Sequence, residues 1–219
     1  FDGTNDAALG DYVDVGDVHS NIQTISFWIQ TDDVDGTRNV IDLDGAAYIL
    51  IEAGEVTTVG ITTPTYYINA VAGEQIITTG TWYHVAVTTA NPIDADDVDI
   101  GRVVTVSGSD DDYFDGKIDE VRLWDDVRTA DEIKASYNRS ISDPYEEANL
   151  KLYLRMNNGT GTVAFDHSSS MDHGTITNST IDPSIWASGS ISWTSNSNLG
   201  IEGEANWSGY NDVDDFHTI

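Results

Sequence analysis

The sequence predicts an all-β protein, a two-sheet antiparallel jelly-roll sandwich with one short helix near residues 129–138, on three observations. Apolar residues recur with a period of two over short runs, clusters of Gly, Asn, Asp and Thr separate those runs, and a helical period emerges in one place. The clearest alternation is "TISFWIQT" (24–31), with Ile25, Phe27 and Ile29 on one face and Ser26, Trp28 and Gln30 on the other. In "TWYHVAVTTA" (81–90), Tyr83, Val85 and Val87 oppose Trp82, His84 and Ala86. The runs "NVIDLD" (39–44), "AYILIEAG" (47–54), "VTTVGITT" (56–63), "TYYINA" (65–70), "EQIITT" (74–79) and "DDVDIGRVVTV" (96–106) complete the strands expected before residue 112. The strand "GKIDEVRLW" (116–124) then leads into "TADEIKASY" (129–137), where Thr129 and Glu132 have capping-box spacing. Asp131 and Glu132 suit the positive helix start, and Lys134 lies farther along. This helix is expected to cover an open end of the sandwich through Ile133 and Tyr137.

The 219 residues suit one large sandwich, and 39% apolar content with ten Tyr and six Trp is too much core material for a disordered chain. The charge is extreme: 38 Asp plus Glu against 9 Lys plus Arg, or −29. Nucleic acid and anionic lipid are excluded as natural partners, because neutralising phosphate needs Lys and Arg. Self-repulsion of this size is screened at ~1 M salt, where the Debye length is roughly 3 Å, so a halophilic setting is expected. Cysteine is absent, which excludes disulfides and thiolate metal sites. No apolar run reaches membrane-spanning length, so membrane insertion is not expected. Phe1 in place of Met suggests a processed or excised segment. N-glycosylation sequons begin at Asn138, Asn158, Asn178 and Asn206, in mild support of secretion.

Several stretches carry a resemblance. "FDGTNDAALGDYVDVGD" (1–17), "TISFWIQT", "TGTWYHVAVTT" (79–89), "VDIGRV" (98–103) and "YFDGKIDEVRLWDDVRTADEIKASY" (113–137) resemble, in this order, the LamG-like branch of the concanavalin A-like lectin/glucanase domains. "LKLYLRMNNGTGTVAFDHSSSMDHGTI" (150–176) resembles an element that in the family usually precedes the "FDGTND" strand. Here it comes later, so the chain either wraps the family order round or ends on the opening strands of a second copy. The family's "D-x-S-G-N-G" turn is changed to "DHSSSMDHG" (166–174). The resemblance covers residues 1–180, and 181–219 form a C-terminal tail whose "SISWTS" (190–195) is a candidate closing or donated strand.

The family implies a structural Ca²⁺ at the changed turn. Asp166, Ser168, the Met171 carbonyl and Asp172 supply oxygens of the kind a hard cation takes, and the resemblance adds Asp119. The alternative acidic cluster is Asp110, Asp111, Asp112 and Asp115. Related sandwiches include glycosidases that work with two carboxylates, but their E-x-D-x-x-E string is absent, and Glu202 and Glu204 lack its middle Asp. The five His show no catalytic spacing, and an enzyme is not expected. Trp28, Trp82 and Trp124 lie in the strongest strands and are expected in the core, whereas Trp186, Trp193, Trp207 and Tyr210 are candidates for stacking on sugar rings.

The expected function is a non-catalytic extracellular, cell-surface or virion-surface module for recognition or adhesion, with a glycan or cell-surface glycoprotein as partner. The alternative is a structural subunit, a virus tail or decoration protein or a surface filament component, that self-assembles through its C-terminal segment.

Overall fold

The protein is described by a computed structural model over residues 1, 3, 11–104, 113–158 and 161–177. A strand with one apolar face needs a second apolar layer, and two antiparallel sheets supply it to each other. The first sheet runs β12 (Val163–Ala164), β13 (Gly174–Thr177), β1 (Tyr12–Gly16), β9 (Val98–Ile100), β3 (Thr37–Asp42), β4 (Tyr48–Glu52) and β5 (Glu55–Val59). The second runs β11 (Leu150–Leu154), β10 (Gly116–Trp124), β2 (His19–Thr31), β8 (Tyr83–Ala95), β6 (Thr65–Ile68) and β7 (Val71–Ala72). Among the described residues the α-helix is α1 (Ala130–Ser136), and a one-turn 3-10 helix follows at Pro144–Glu146.

Period-two alternation decides which side chains enter the core. Ile25, Phe27 and Ile29 of β2 and Val85 and Val87 of β8 pack with Val13, Ile41, Ile49 and Ile100 of the other sheet. The cross-strand row Val13, Ile100, Ile41, Ile49 keeps that sheet's apolar face in register. Each such side chain taken from water contributes about 1.5–3 kcal/mol. Gly116 lets β10 lie flush on β2: its φ is +138°, and a Cβ there would stand 2.1 Å from the Gln30 carbonyl oxygen.

The late-coming element 150–177 completes this same sandwich. β11 pairs with β10, and β13 pairs with β1 through Tyr12 opposite Thr177, so the family order is wrapped round within the one sandwich.

Several expectations are corrected. The helix lies on the outer face of the six-stranded sheet, where Ile133 packs on Tyr67 and Ala86, and not over an open end. Ala86 alternates with core Val85 and Val87, so the helix must sit on the side away from the core. Residues 74–79 do not form a strand; Gln75 exchanges hydrogen bonds of 2.8 Å with both the N–H and the carbonyl of Val56, which covers part of the β5 edge. Trp82 precedes β8 and is half-buried. Trp28 and Trp124 are buried as expected, in the apolar clusters outside the six-stranded sheet: Trp28 packs with His84 and Tyr137, and Trp124 with Leu150 and Tyr153. The tail 181–219 and its "SISWTS" lie outside the described residues.

Candidate functional site

The outer face of the six-stranded sheet holds a buried charge network at an irregularity in β10. Asp119 pairs with Trp28 and Arg122 with Ser26, so the stretch between them carries a bulge. Glu120 sits in it at φ +53°, a strained conformation for a residue with a side chain. Glu120 accepts from the Arg122 guanidinium and the Tyr153 hydroxyl on one oxygen and from Ser140 Oγ on the other. Arg122 also donates to the carbonyls of Ser136 (3.2 Å), at the end of α1, and Arg139 (2.7 Å), in the turn after it. Trp28 Nε1 donates to the Tyr137 carbonyl at 2.8 Å. These bonds fasten the helical segment to the sheet. The capping box forms as expected, with Thr129 and Glu132 satisfying each other's backbone N–H.

Burial sets the protonation states here. It pushes the Tyr153 hydroxyl up to about 12, with Glu120 adding to it, and the Asp119 carboxyl up to about 8, again helped by Glu120. It opposes the Arg122 charge, but Glu120 and Tyr153 outweigh it and raise that pKa. His84 is driven down to about 3 by burial and then by Arg122, and its Nδ1 has no hydrogen-bond partner. A neutral imidazole packed edge-on to Trp28 and Tyr137 is a core residue, out of reach of any substrate proton.

The seven-stranded sheet carries carboxylates on its outer face. Asp14, Asp99 and Asp42 stand opposite one another on β1, β9 and β3, alternating with the apolar row of the core. Asp42 accepts from the N–H of Gly45 (2.8 Å) and of Val104 (2.9 Å), while burial raises its pKa. Asp99 takes two bonds from Arg102, whose guanidinium lies 3.4 Å above the Tyr12 ring. Burial still drives Asp99 up to about 7. Sequence reasoning missed Asp42, Asp99, Glu120 and Arg122 as buried charges. Their signal was a charge set inside an apolar run, as in "NVIDLD" and "IDEVRLW".

The turn from Asp166 lies at the other edge of the six-stranded sheet. Asp166 bridges to Leu154 and the His167 N–H donates to the Tyr153 carbonyl at 3.0 Å, so the turn covers the outer edge of β11. Asp166 is 4% exposed, and four donors converge on its carboxylate. Oδ1 accepts from the N–H of Tyr153 (2.8 Å) and Ser168 (2.9 Å), and Oδ2 from Ser168 Oγ (2.7 Å) and the Asp172 N–H (3.0 Å). Met171 is at φ +57°, and its carbonyl accepts from the His173 N–H at 3.1 Å. The Asp172 pKa is raised by burial, then by Asp166 and Asp17. Asp119 is not gathered here, and the charges acting on it are Glu120 and Arg122. A carboxylate has about four acceptor positions, and all of those on Asp166 meet a donor hydrogen where a cation would have to sit. The residues do not fit a calcium ion.

Of the alternative cluster, Asp115 is half-buried and its carbonyl accepts from the Asp32 N–H at 3.0 Å, while Asp110, Asp111 and Asp112 lie outside the described residues. So do Trp186, Trp193, Trp207, Tyr210, Glu202, Glu204, Asn178 and Asn206. Asn158 Nδ2 donates to the Val163 carbonyl at 3.2 Å, and Asn138 sits half-buried in the turn after α1. Among the described residues no three His, Asp or Glu side chains converge as a metal set, and no helix is long and apolar enough to cross a membrane.

Comparison with known proteins agrees with this architecture. Residues 2–96 match the family model of the concanavalin A-like lectin/glucanases superfamily. No curated protein matches the sequence. A Bacteroides ovatus protein, provisionally described as carbohydrate-binding, is similar at 20% identity and a TM-score of 0.55. The match covers 77% of this chain and 56% of that protein, so the chain spans little more than half of its length. A heptameric SAP-like pentraxin from Limulus polyphemus is matched at 14% identity and a TM-score of 0.40, over 61% of this chain and 78% of the pentraxin. The chain is a two-sheet concanavalin A-like sandwich.

Proposed function

We propose that this sandwich is a non-catalytic module that recognises neutral glycans at a cell or virion surface. One observation carries the reading: the carboxylates drawn into the sheets already serve the protein's own donors. Asp42 holds two backbone N–H groups, Asp99 holds Arg102, Glu120 holds Arg122 and Tyr153, and Asp166 holds four donors. A retaining or inverting glycosidase needs two carboxyl groups free to protonate a leaving oxygen and to attack or activate water. Groups committed to internal bonds supply neither. What the superfamily fold offers in addition is recognition, and the Bacteroides ovatus relative lends it support as a carbohydrate-binding description attached to the same fold. The surface charge of −29 favours uncharged sugars over sulfated or sialylated ones, since like charges repel across an interface.

A glycan array with the full chain in high salt, with and without Ca²⁺, tests this. Binding to neutral oligosaccharides without turnover of laminarin or related β-glucans is the expected result. Hydrolysis, or the absence of any glycan bound, would overturn the reading. Light scattering on the same sample separates it from the assembling-subunit alternative, because a recognition module stays a monomer or small oligomer.

A further inference from the structure

The turn that the family resemblance marks for an ion is built around a side chain instead. We propose that the Asp166 carboxylate stands in the place of a cation as the hub of residues 166–173, so that this turn and the β11 edge it closes are independent of calcium. Where the chain acts as a glycan-recognition module, which rests on the reading above, this turn then contributes no calcium dependence to it.

The chemistry runs from the sequence "DHSSSMDH" to the edge of the sheet. Asp166 bonded to the N–H two residues on makes an Asx-turn, which brings Ser168 beneath it. The Ser168 hydroxyl then lies between Asp166 Oδ2 (2.7 Å) and the Lys151 carbonyl (3.0 Å), and accepts from the Ser170 N–H at 3.2 Å. Met171 at φ +57° turns the chain back, and the Asp172 N–H reaches Asp166 Oδ2. The backbone N–H of Asp166 meets His173 Nδ1 at 3.1 Å, which closes the ring of bonds. A calcium loop gathers six to eight oxygens with their lone pairs pointing inward. This turn does the reverse, because N–H and O–H groups point inward at one carboxylate. The Tyr153 N–H, on the outer edge of β11, is satisfied by the same oxygen that nucleates the turn.

Melting curves of the full chain in 2 M NaCl, with EDTA, Mg²⁺ or Ca²⁺, test the inference on the parent, Asp166→Asn, Asp172→Asn and Asp115→Asn. In the parent, Ca²⁺ and EDTA should give melting temperatures within about 1 °C of each other. Asp166→Asn places an NH₂ against two donors and should lower Tm by about 5 to 10 °C in every buffer. Asp172→Asn should hold or raise Tm, because no bond from the Asp172 carboxylate builds the turn and its charge is repelled by Asp166 and Asp17. A Ca²⁺-selective rise in the parent that either Asp166→Asn or Asp172→Asn removes would overturn the proposal. Should Asp166→Asn fail to fold, Asp172→Asn alone decides, since it removes the carboxylate with oxygens left for an ion. A Ca²⁺ rise that survives both and vanishes with Asp115→Asn supports the proposal, because the ion then sits elsewhere. These curves contain no glycan, so their outcome and that of the array are independent.

Discussion

The two outer faces of the sandwich meet the backbone above them with side chains of opposite charge. On the six-stranded sheet the guest is Arg122, and on the seven-stranded sheet it is Asp42. The difference follows from what each face is roofed with. The end of a helix and the turn after it present carbonyls, and the Ser136 and Arg139 oxygens accept from a guanidinium. The loops over the other sheet present N–H groups, and those of Gly45 and Val104 need an acceptor. A chain with 38 acidic side chains against 9 basic ones therefore spends one of its few cations under the helix, where these two carbonyls take a donor that a carboxylate cannot supply. Acidity of the surface and sign of the buried charge are separate matters, since the first concerns solvation and the second the backbone groups overhead.

The largest expected effect breaks the helix-roofed face. Arg122→Met keeps the stem but strands Glu120 and two carbonyls, and removing one partner of a buried pair costs about 3–5 kcal/mol. Urea unfolding measures it. The double variant with Glu120→Gln should recover part of the loss, and a single variant within about 1 kcal/mol of the parent would show that the roof does not depend on Arg122. The opposite face should yield less. Asp42→Asn leaves one oxygen for two N–H donors, and the expected loss is about 2 kcal/mol by the same method. A loss equal to that of Arg122→Met would erase the asymmetry between the faces.

The smallest effect is read in pH. The folded-state pKa of Asp119 is raised to about 8, so its contribution is full below the ordinary carboxylate value near 3.8 and is lost as pH rises through about 8. His84 acts with the opposite sign: its folded pKa, lowered to about 3, favours the neutral ring, and its contribution is present above 6.5 and lost as pH falls. Asp119→Asn should therefore raise stability by roughly 1 kcal/mol at pH 8 and change nothing near pH 4. Melting curves from pH 4 to 8.5 in fixed high salt would show a gap that opens with pH. A gap constant across that range would remove Asp119 from the account.

Much of the fold is legible in the residue pattern. β10 begins and ends where the residue pattern places it, at Gly116 and Trp124, and the capping box at Thr129 forms as spaced. Both signals are local: a strand's two faces and a helix start are fixed by residues within four positions of each other. The candidate site was less legible. "DHSSSMDH" offers the same oxygens whether they face outward to an ion or inward to N–H groups, and only the position of the Tyr153 N–H on a neighbouring strand selects between them. Asp119 and Asp166 looked like partners from the family pattern, yet Asp119 alternates with core Ile118 and stands opposite Trp28, which places it on the outer face.

By itself, then, the sequence determined the two apolar faces, the charge of the surface and the start of the helix, because these depend on periodicity, composition and short-range hydrogen bonds. Only the tertiary structure decided that the helix lies on a sheet face, that the run 150–177 completes the same sandwich, and that the carboxylates of Asp42, Asp99, Glu120 and Asp166 are already taken. Those outcomes depend on which donors and acceptors from distant segments meet, and a buried polar group accepts whichever partner the fold brings to it.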